Sequence, residues 1–129
     1  MSNKRIVIKL EHPFEYSWLD DAINKYQYLL LMHYPDNDAL AVVLSTNPEG
    51  LGDSITVVSV NTPDSSSLDN DEFAMHSTDL PTDFVNLFKQ TGIAKPTTKS
   101  IHSGFVDFPV WKLMPDIAKK VEAGNAQKD

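Results

Sequence analysis

The sequence has no cysteine. Disulfides, thiolate zinc sites, iron–sulfur clusters and cysteine nucleophiles are therefore excluded together, and packing must hold the fold. No apolar run approaches the roughly 20 residues that a membrane-crossing helix needs. The first ten residues set Lys4, Arg5 and Lys9 around a very short apolar stretch, unlike a signal peptide, so a cytoplasmic protein with no membrane contact is the expectation. Glycine is sparse, at five residues, and its spacing fits no nucleotide site. Gly50-Leu51-Gly52 lacks the third glycine and following helix of a dinucleotide fingerprint, and no Gly-Lys-Ser or Gly-Lys-Thr phosphate loop occurs. A Gly-x-Ser-x-Gly nucleophile elbow is also missing. Cations are scarcest of all in the middle of the chain: between residues 10 and 88, Lys25 stands alone against fourteen Asp or Glu, a balance of −13 within a total of −7. Such a segment repels a phosphate backbone and attracts a basic protein surface, so direct nucleic-acid binding through it is disfavoured.

What remains is an ordinary globular composition, 41% hydrophobic and 22% charged over 129 residues. That length supports one core but not two. A single domain over residues 1–123 with a disordered tail at 124–129 is the expectation.

Residues 5–10 (Arg-Ile-Val-Ile-Lys-Leu) alternate with period two and read as a strand stopped by Pro13. Ser17 and Asp20 have capping-box spacing, which predicts a short helix through Ile23. Residues 26–34 and 39–46 are apolar, β-rich runs separated by Pro35-Asp36-Asn37-Asp38, a hairpin signal. A turn cluster at 47–53 leads into a further strand at 54–60, completing a meander. Residues 62–71 are polar and acidic and read as an exposed loop, and 72–76 as a brief edge strand. Phe84, Val85, Leu87 and Phe88 share a helical face, with Pro81 near the start and Gly92 at the C-terminal cap. Residues 94–103 read as a Lys, Thr and Ser loop, and 104–113 as a strand that Pro109 confines to an edge or bends. Pro115 opens a C-terminal helix ending at Gly124. The predicted class is α+β: an antiparallel meander sheet of about 4–6 strands packed by one main helix, with a short N-terminal and a C-terminal helix.

Asp79-Leu80-Pro81 and its helix, Gly92-Ile93-Ala94-Lys95-Pro96-Thr97, and Ser103-Gly104-Phe105-Val106-Asp107-Phe108-Pro109 together resemble a family of small bacterial proteins of unknown function carried by plasmids, conjugative elements and phages. In that family the helix ends in a Gly-x-Gly-Lys-Pro-Thr-like segment and the chain closes on a Ser-Gly-Phe and aromatic-Pro strand. Here Ala94 stands where a second glycine is usual, and a tail follows Leu113. The resemblance covers residues 79–113, with weaker agreement in the preceding strands. It implies a mobile-element context, among whose accessory proteins are anti-CRISPR and anti-restriction inhibitors, and it implies no reaction or catalytic residue.

The leading expectation is thus a non-enzymatic protein whose acids occupy the basic groove of a CRISPR effector or restriction enzyme in the host bacterium. Asp20, Asp21, Asp36, Asp38, Asp64, Asp69, Asp71 and Glu72 are the candidate contacts, because hairpin turns and long loops let acids leave the core. The bland alternative is a surface kept soluble by charge. His12, His33, His76 and His102 stand more than 20 residues apart, so no local metal spacing exists, and the acid runs match no calcium loop; neither a metal nor a cofactor is expected. Two rival readings are a small hydrolase built from Ser103, His102 or His76 and an acid, and a self-associating module whose interface is the edge strand with Phe105, Phe108 and Trp111.

Overall fold

The computed structural model describes residues 6–17, 23–35, 37, 39–48, 55–76 and 80–126. β1 (Ile6–Ser17), β2 (Ile23–His33), β3 (Leu40–Ser45) and β4 (Ile55–Val57) form one antiparallel sheet in that order. β5 (Ser59–Val60), β6 (Glu72–Met75), β7 (Ala94–Ser103) and β8 (Val106–Leu113) form a second, ordered β5-β6-β8-β7. A 3₁₀ turn (Pro63–Ser67) precedes β6, α1 (Thr82–Gln90) lies between β6 and β7, and α2 (Pro115–Ala126) follows β8. The class is roughly α+β but mostly β, with two sheets in place of the single expected meander.

The chain changes sheets at Val58. Its N–H donates to the Val42 carbonyl at 2.8 Å, and its own carbonyl accepts the His76 N–H at 2.9 Å. Between the short strands β4 and β5, this one buried residue carries a bond to each sheet, and no polar backbone group there is left to desolvation.

One core serves both sheets. Ile8, Leu29 and Leu44 line up across β1, β2 and β3, and Phe73, Met75, Trp111 and Leu113 face them from the second sheet. α1 closes the space between. Its period-3.6 stripe places Phe84 and Phe88, both fully buried, against Phe14 and Tyr16 of β1 and Trp111 of β8. Phe84 meets Phe14 and Tyr16 edge-on, each at 5.1 Å between ring centres, a favoured aromatic geometry. Gly92, at φ +78°, takes the left-handed position just past the helix.

Several expectations are corrected. Pro13 does not end β1, because it sits in a bulge: residues 10–13 have no partner in β2 between the pairs Lys9–Tyr28 and Phe14–Tyr26, so a missing N–H there costs no ladder bond. Ser17 and Ile23, the ends of the predicted short helix, belong to strands; residues 18–22 between them lie outside the described residues. β6 is an inner strand, buried at all four positions, and not an edge. Residues 94–103 form the ten-residue strand β7 rather than a loop. β8 is also internal, so Pro109 does not mark an edge strand. It stands one residue beyond Val110, where pairing with β6 ends, and opposite a β7 register shift between Pro96 and Ser100. α2 runs to Ala126, past the predicted stop at Gly124.

Candidate acidic binding surface

The β2–β3 hairpin turn is held against the segment that enters the 3₁₀ turn. Asn37, flanked in sequence by Asp36 and Asp38, donates from Nδ2 to Asn61 Oδ1 at 3.0 Å and to the Thr62 carbonyl at 3.2 Å. Tyr34 and Ser59 share a hydroxyl hydrogen bond of 2.9 Å just behind it. Thr62 is buried, its N–H donating to Ser65 Oγ at 3.0 Å, and this local bond starts the turn that carries the exposed Asp64. Asn37 and the segment that leads to Asp64, far apart in sequence, thereby meet at one corner.

The other candidate acids lie differently. Asp20, Asp21, Asp36 and Asp38 fall outside the described residues. Asp69 is exposed, with its N–H donating to Glu72 Oε1 at 3.1 Å. Asp71 is half-buried, 3.7 Å from Lys112 Nζ. Glu72 is not a loop acid at the surface: its side chain is 4% exposed, and Lys99 Nζ lies 2.9 Å from each carboxylate oxygen. Burial opposes ionisation of Glu72. The Lys99 hydrogen bond, the Asp69 N–H and the charges of Lys99 and Lys112 outweigh it and hold the carboxyl below its ordinary value. Lys99 is pushed up in turn, first by its hydrogen bond to Glu72, then, against its own partial desolvation, by the charges of Glu72, Asp69 and Asp71.

The acidic middle of the sequence is thus partly neutralised by lysines of the C-terminal third. Lys95 and Lys112 are direct partners in the β7–β8 ladder, and Glu72 pairs with Lys112 across β6–β8. Residues 94–103, with only Ala94 and Ile101 buried, carry no period-two signal that could have placed these lysines on a strand.

The constellations of the rival readings are placed as follows. His102 Nδ1 lies 2.6 Å from Asp107 Oδ1 at cross-strand positions, both largely exposed. Ser103 is the next residue along the strand and so faces the opposite side of the hairpin from His102. His76 lies just past β6, at the sheet switch. Trp111 is buried and Phe108 packs on a small cluster of Ala74, Ile101 and Val110, whereas Phe105 is fully exposed beside Gly104, whose φ of +63° suits a two-residue hairpin turn. Among the described residues no group of three or more His, Asp or Glu is arranged to hold a metal ion, and no helix is long and apolar enough to cross a membrane.

A cleft of about 820 Å³ opens between the β1 bulge, the end of α1 and the start of α2. Its apolar lining includes Leu10, Phe14, Leu87, Ile93, Met114 and Ile117, and its polar lining Glu11, His12, Gln90, Asp116 and Lys120.

The family model for a domain of unknown function, DUF4313, matches residues 28–125. The chain belongs to the DUF4313 family. No curated protein and no solved structure matches it. The DUF4313 match is wider than the resemblance seen at residues 79–113: it begins within β2 and runs into α2. It therefore takes in the acidic corner, both partners of the Glu72–Lys99 pair and the α1 and α2 walls of the cleft, while β1 precedes it.

Proposed function

We propose that this DUF4313 protein is a non-catalytic accessory protein of a mobile element that binds and inhibits a nucleic-acid-handling defence enzyme of the host bacterium, a CRISPR effector or a restriction enzyme. It acts in the cytoplasm, and its acids occupy the basic groove that otherwise takes the nucleic acid. The observation that carries this reading is the corner at Asn37, whose hydrogen bonds to Asn61 and the Thr62 carbonyl hold it beside the 3₁₀ turn with the exposed Asp64; Asp36 and Asp38 are its neighbours in sequence. A backbone held in a short, hydrogen-bonded turn loses little freedom on binding, and a negative potential steers association with a basic surface. Asp71 and Glu72 leave the contact set, because their charges are met internally by Lys112 and Lys99.

The test is an inhibition assay on purified host CRISPR effectors and restriction enzymes, comparing the wild type with an Asp36→Asn/Asp38→Asn/Asp64→Asn variant. Inhibition by the wild type, weakened at least about tenfold in the variant and less dependent on salt, is the outcome expected when rim charges set the association rate. Equal inhibition by the two proteins would refute the acidic-corner reading. A wild type that inhibits none of these enzymes would refute the inhibitor reading.

A further inference from the structure

We infer that residues 62–71 form a strap closed over the outer face of the second sheet, stapled there by the carboxylate of Glu72 next to the backbone bond from the Leu113 N–H to the Asp71 carbonyl at 2.8 Å. The outer face has two kinds of surface and the strap matches both. Ala74, Ile101 and Val110 form a small buried cluster of their own, separate from the main core, and Leu68 of the strap packs on it. With the strap down, Leu68 helps to shield this satellite cluster from water. Beside it, Lys95 and Lys112 are directly opposite each other in the β7–β8 ladder, a like-charge pair that repels unless acids offset it. Asp71 approaches Lys112 at 3.7 Å, and the charges of Asp69 and Asp71 act on Lys99.

The staple is specific in its geometry. Glu72 belongs to β6, so its backbone is fixed by the sheet. Its Oε1 accepts the Asp69 N–H of the strap, and both its oxygens face Lys99 Nζ of β7 at 2.9 Å. A register shift in β7 makes this reach possible: residues 97–99 are extra to the ladder, and Thr97 Oγ1 donates to the Val110 carbonyl at 2.8 Å where a backbone donor is missing. At its other end the strap is tied to the β2–β3 turn by Asn37 Nδ2, which donates to the Thr62 carbonyl at 3.2 Å. Opening it would expose more of the satellite cluster and take Asp69 and Asp71 away from the lysine row. The strap also carries Asp64 and Asp69, the described candidate acids that stay exposed, and in this consequence alone the inference rests on the binding reading.

Hydrogen exchange read by mass spectrometry on the full chain, with no partner present, tests it. In Glu72→Gln and in Lys99→Met the amides of residues 62–71 should exchange about tenfold faster than in the wild type, with β2 and β3 unchanged, and Lys99→Arg should stay near the wild type. Strap amides that exchange at the wild-type rate in both variants overturn the staple. Acceleration spread evenly over the whole chain overturns it as well, since the pair would then hold the entire fold and not the strap. Because no defence enzyme enters the measurement, failure of the inhibitor reading and failure of the strap are separate results.

Discussion

Tyr16 illustrates how one polar contact can tie the first sheet to the main helix. Its hydroxyl donates to Asp83 Oδ1 at 2.6 Å, and Asp83 lies in the first turn of α1, where a carboxylate is also favoured by the unpaired N–H groups of the helix. The hydrogen bond to Asp83, followed by desolvation and the Asp83 charge, pushes the phenol from its ordinary 10.0 up to about 12. A group whose pKa is raised by folding contributes stability that is complete below its unfolded value and is lost as pH climbs to the folded one. Chemical denaturation followed across pH should therefore show a decline between about pH 10 and 12 that is shallower in Tyr16→Phe. Lys99, also raised, supplies a residual slope in the same limb. The acid limb has the opposite sign: the lowered carboxyl of Glu72 contributes above its ordinary value of 4.5 and ceases to contribute as pH falls through its folded value. Glu72→Gln should flatten that limb, and an identical acid profile in the variant would show that the Lys99 pair does not couple to folding.

Among the elements, those whose apolar period was complete were legible in the sequence. The hairpin of β2 and β3 and the helix α1 lie close to where the pattern put them, since Leu29, Leu31, Val42, Leu44, Phe84 and Phe88 all enter the core. β7 was concealed because most of its side chains are polar and exposed, and because a bulge interrupts its period; its strand identity is set by pairing with β8, a long-range fact that no local window contains. The acidic corner was half legible. The acids were visible as residues, but the Asn37 bonds to Asn61 and Thr62, and the lysines that pair with Asp71 and Glu72, span 24 to 27 residues or more. α1 is the element on which both sheets depend, as Phe84 touches Phe14 and Tyr16 while Phe88 touches Trp111. Phe84→Ala should cost about 3–5 kcal/mol, the range for deleting a fully buried phenyl ring from a packed core. Leu87→Ala, on the exposed side of the same helix at 39%, should cost well under half of that in the same urea titration. Equal losses at the two positions would mean that the stripe at Phe84 and Phe88 is not what anchors α1.

For the whole molecule the question is whether two four-stranded sheets act as one folding unit. Nothing in the strand order requires it, because the two ladders share no strand pair and are joined through the bonds of Val58. The side chains argue for unity. The main core draws Ile8, Leu29 and Leu44 from the first sheet, Phe73, Met75 and Leu113 from the second, and Phe84 and Phe88 from α1 into one contiguous cluster. Separating the sheets would expose both inner faces, and for apolar surface worth about 25 cal/mol per Å² no half-folded state recovers that loss. A Trp18→Phe background leaves Trp111, 4% exposed and in contact with Phe88, as the reporter of the second sheet and its helix, while far-ultraviolet circular dichroism reports all strands. The two urea transitions should coincide in midpoint and slope, as they do for a single cooperative domain of this length. A fluorescence transition displaced from the dichroism curve would show that one sheet survives the loss of the other. The bonds at Val58 would then be a hinge between separate units, and the Asn37 corner, which ties the β2–β3 turn to the strap through Asn61 and Thr62, would be a contact across that hinge.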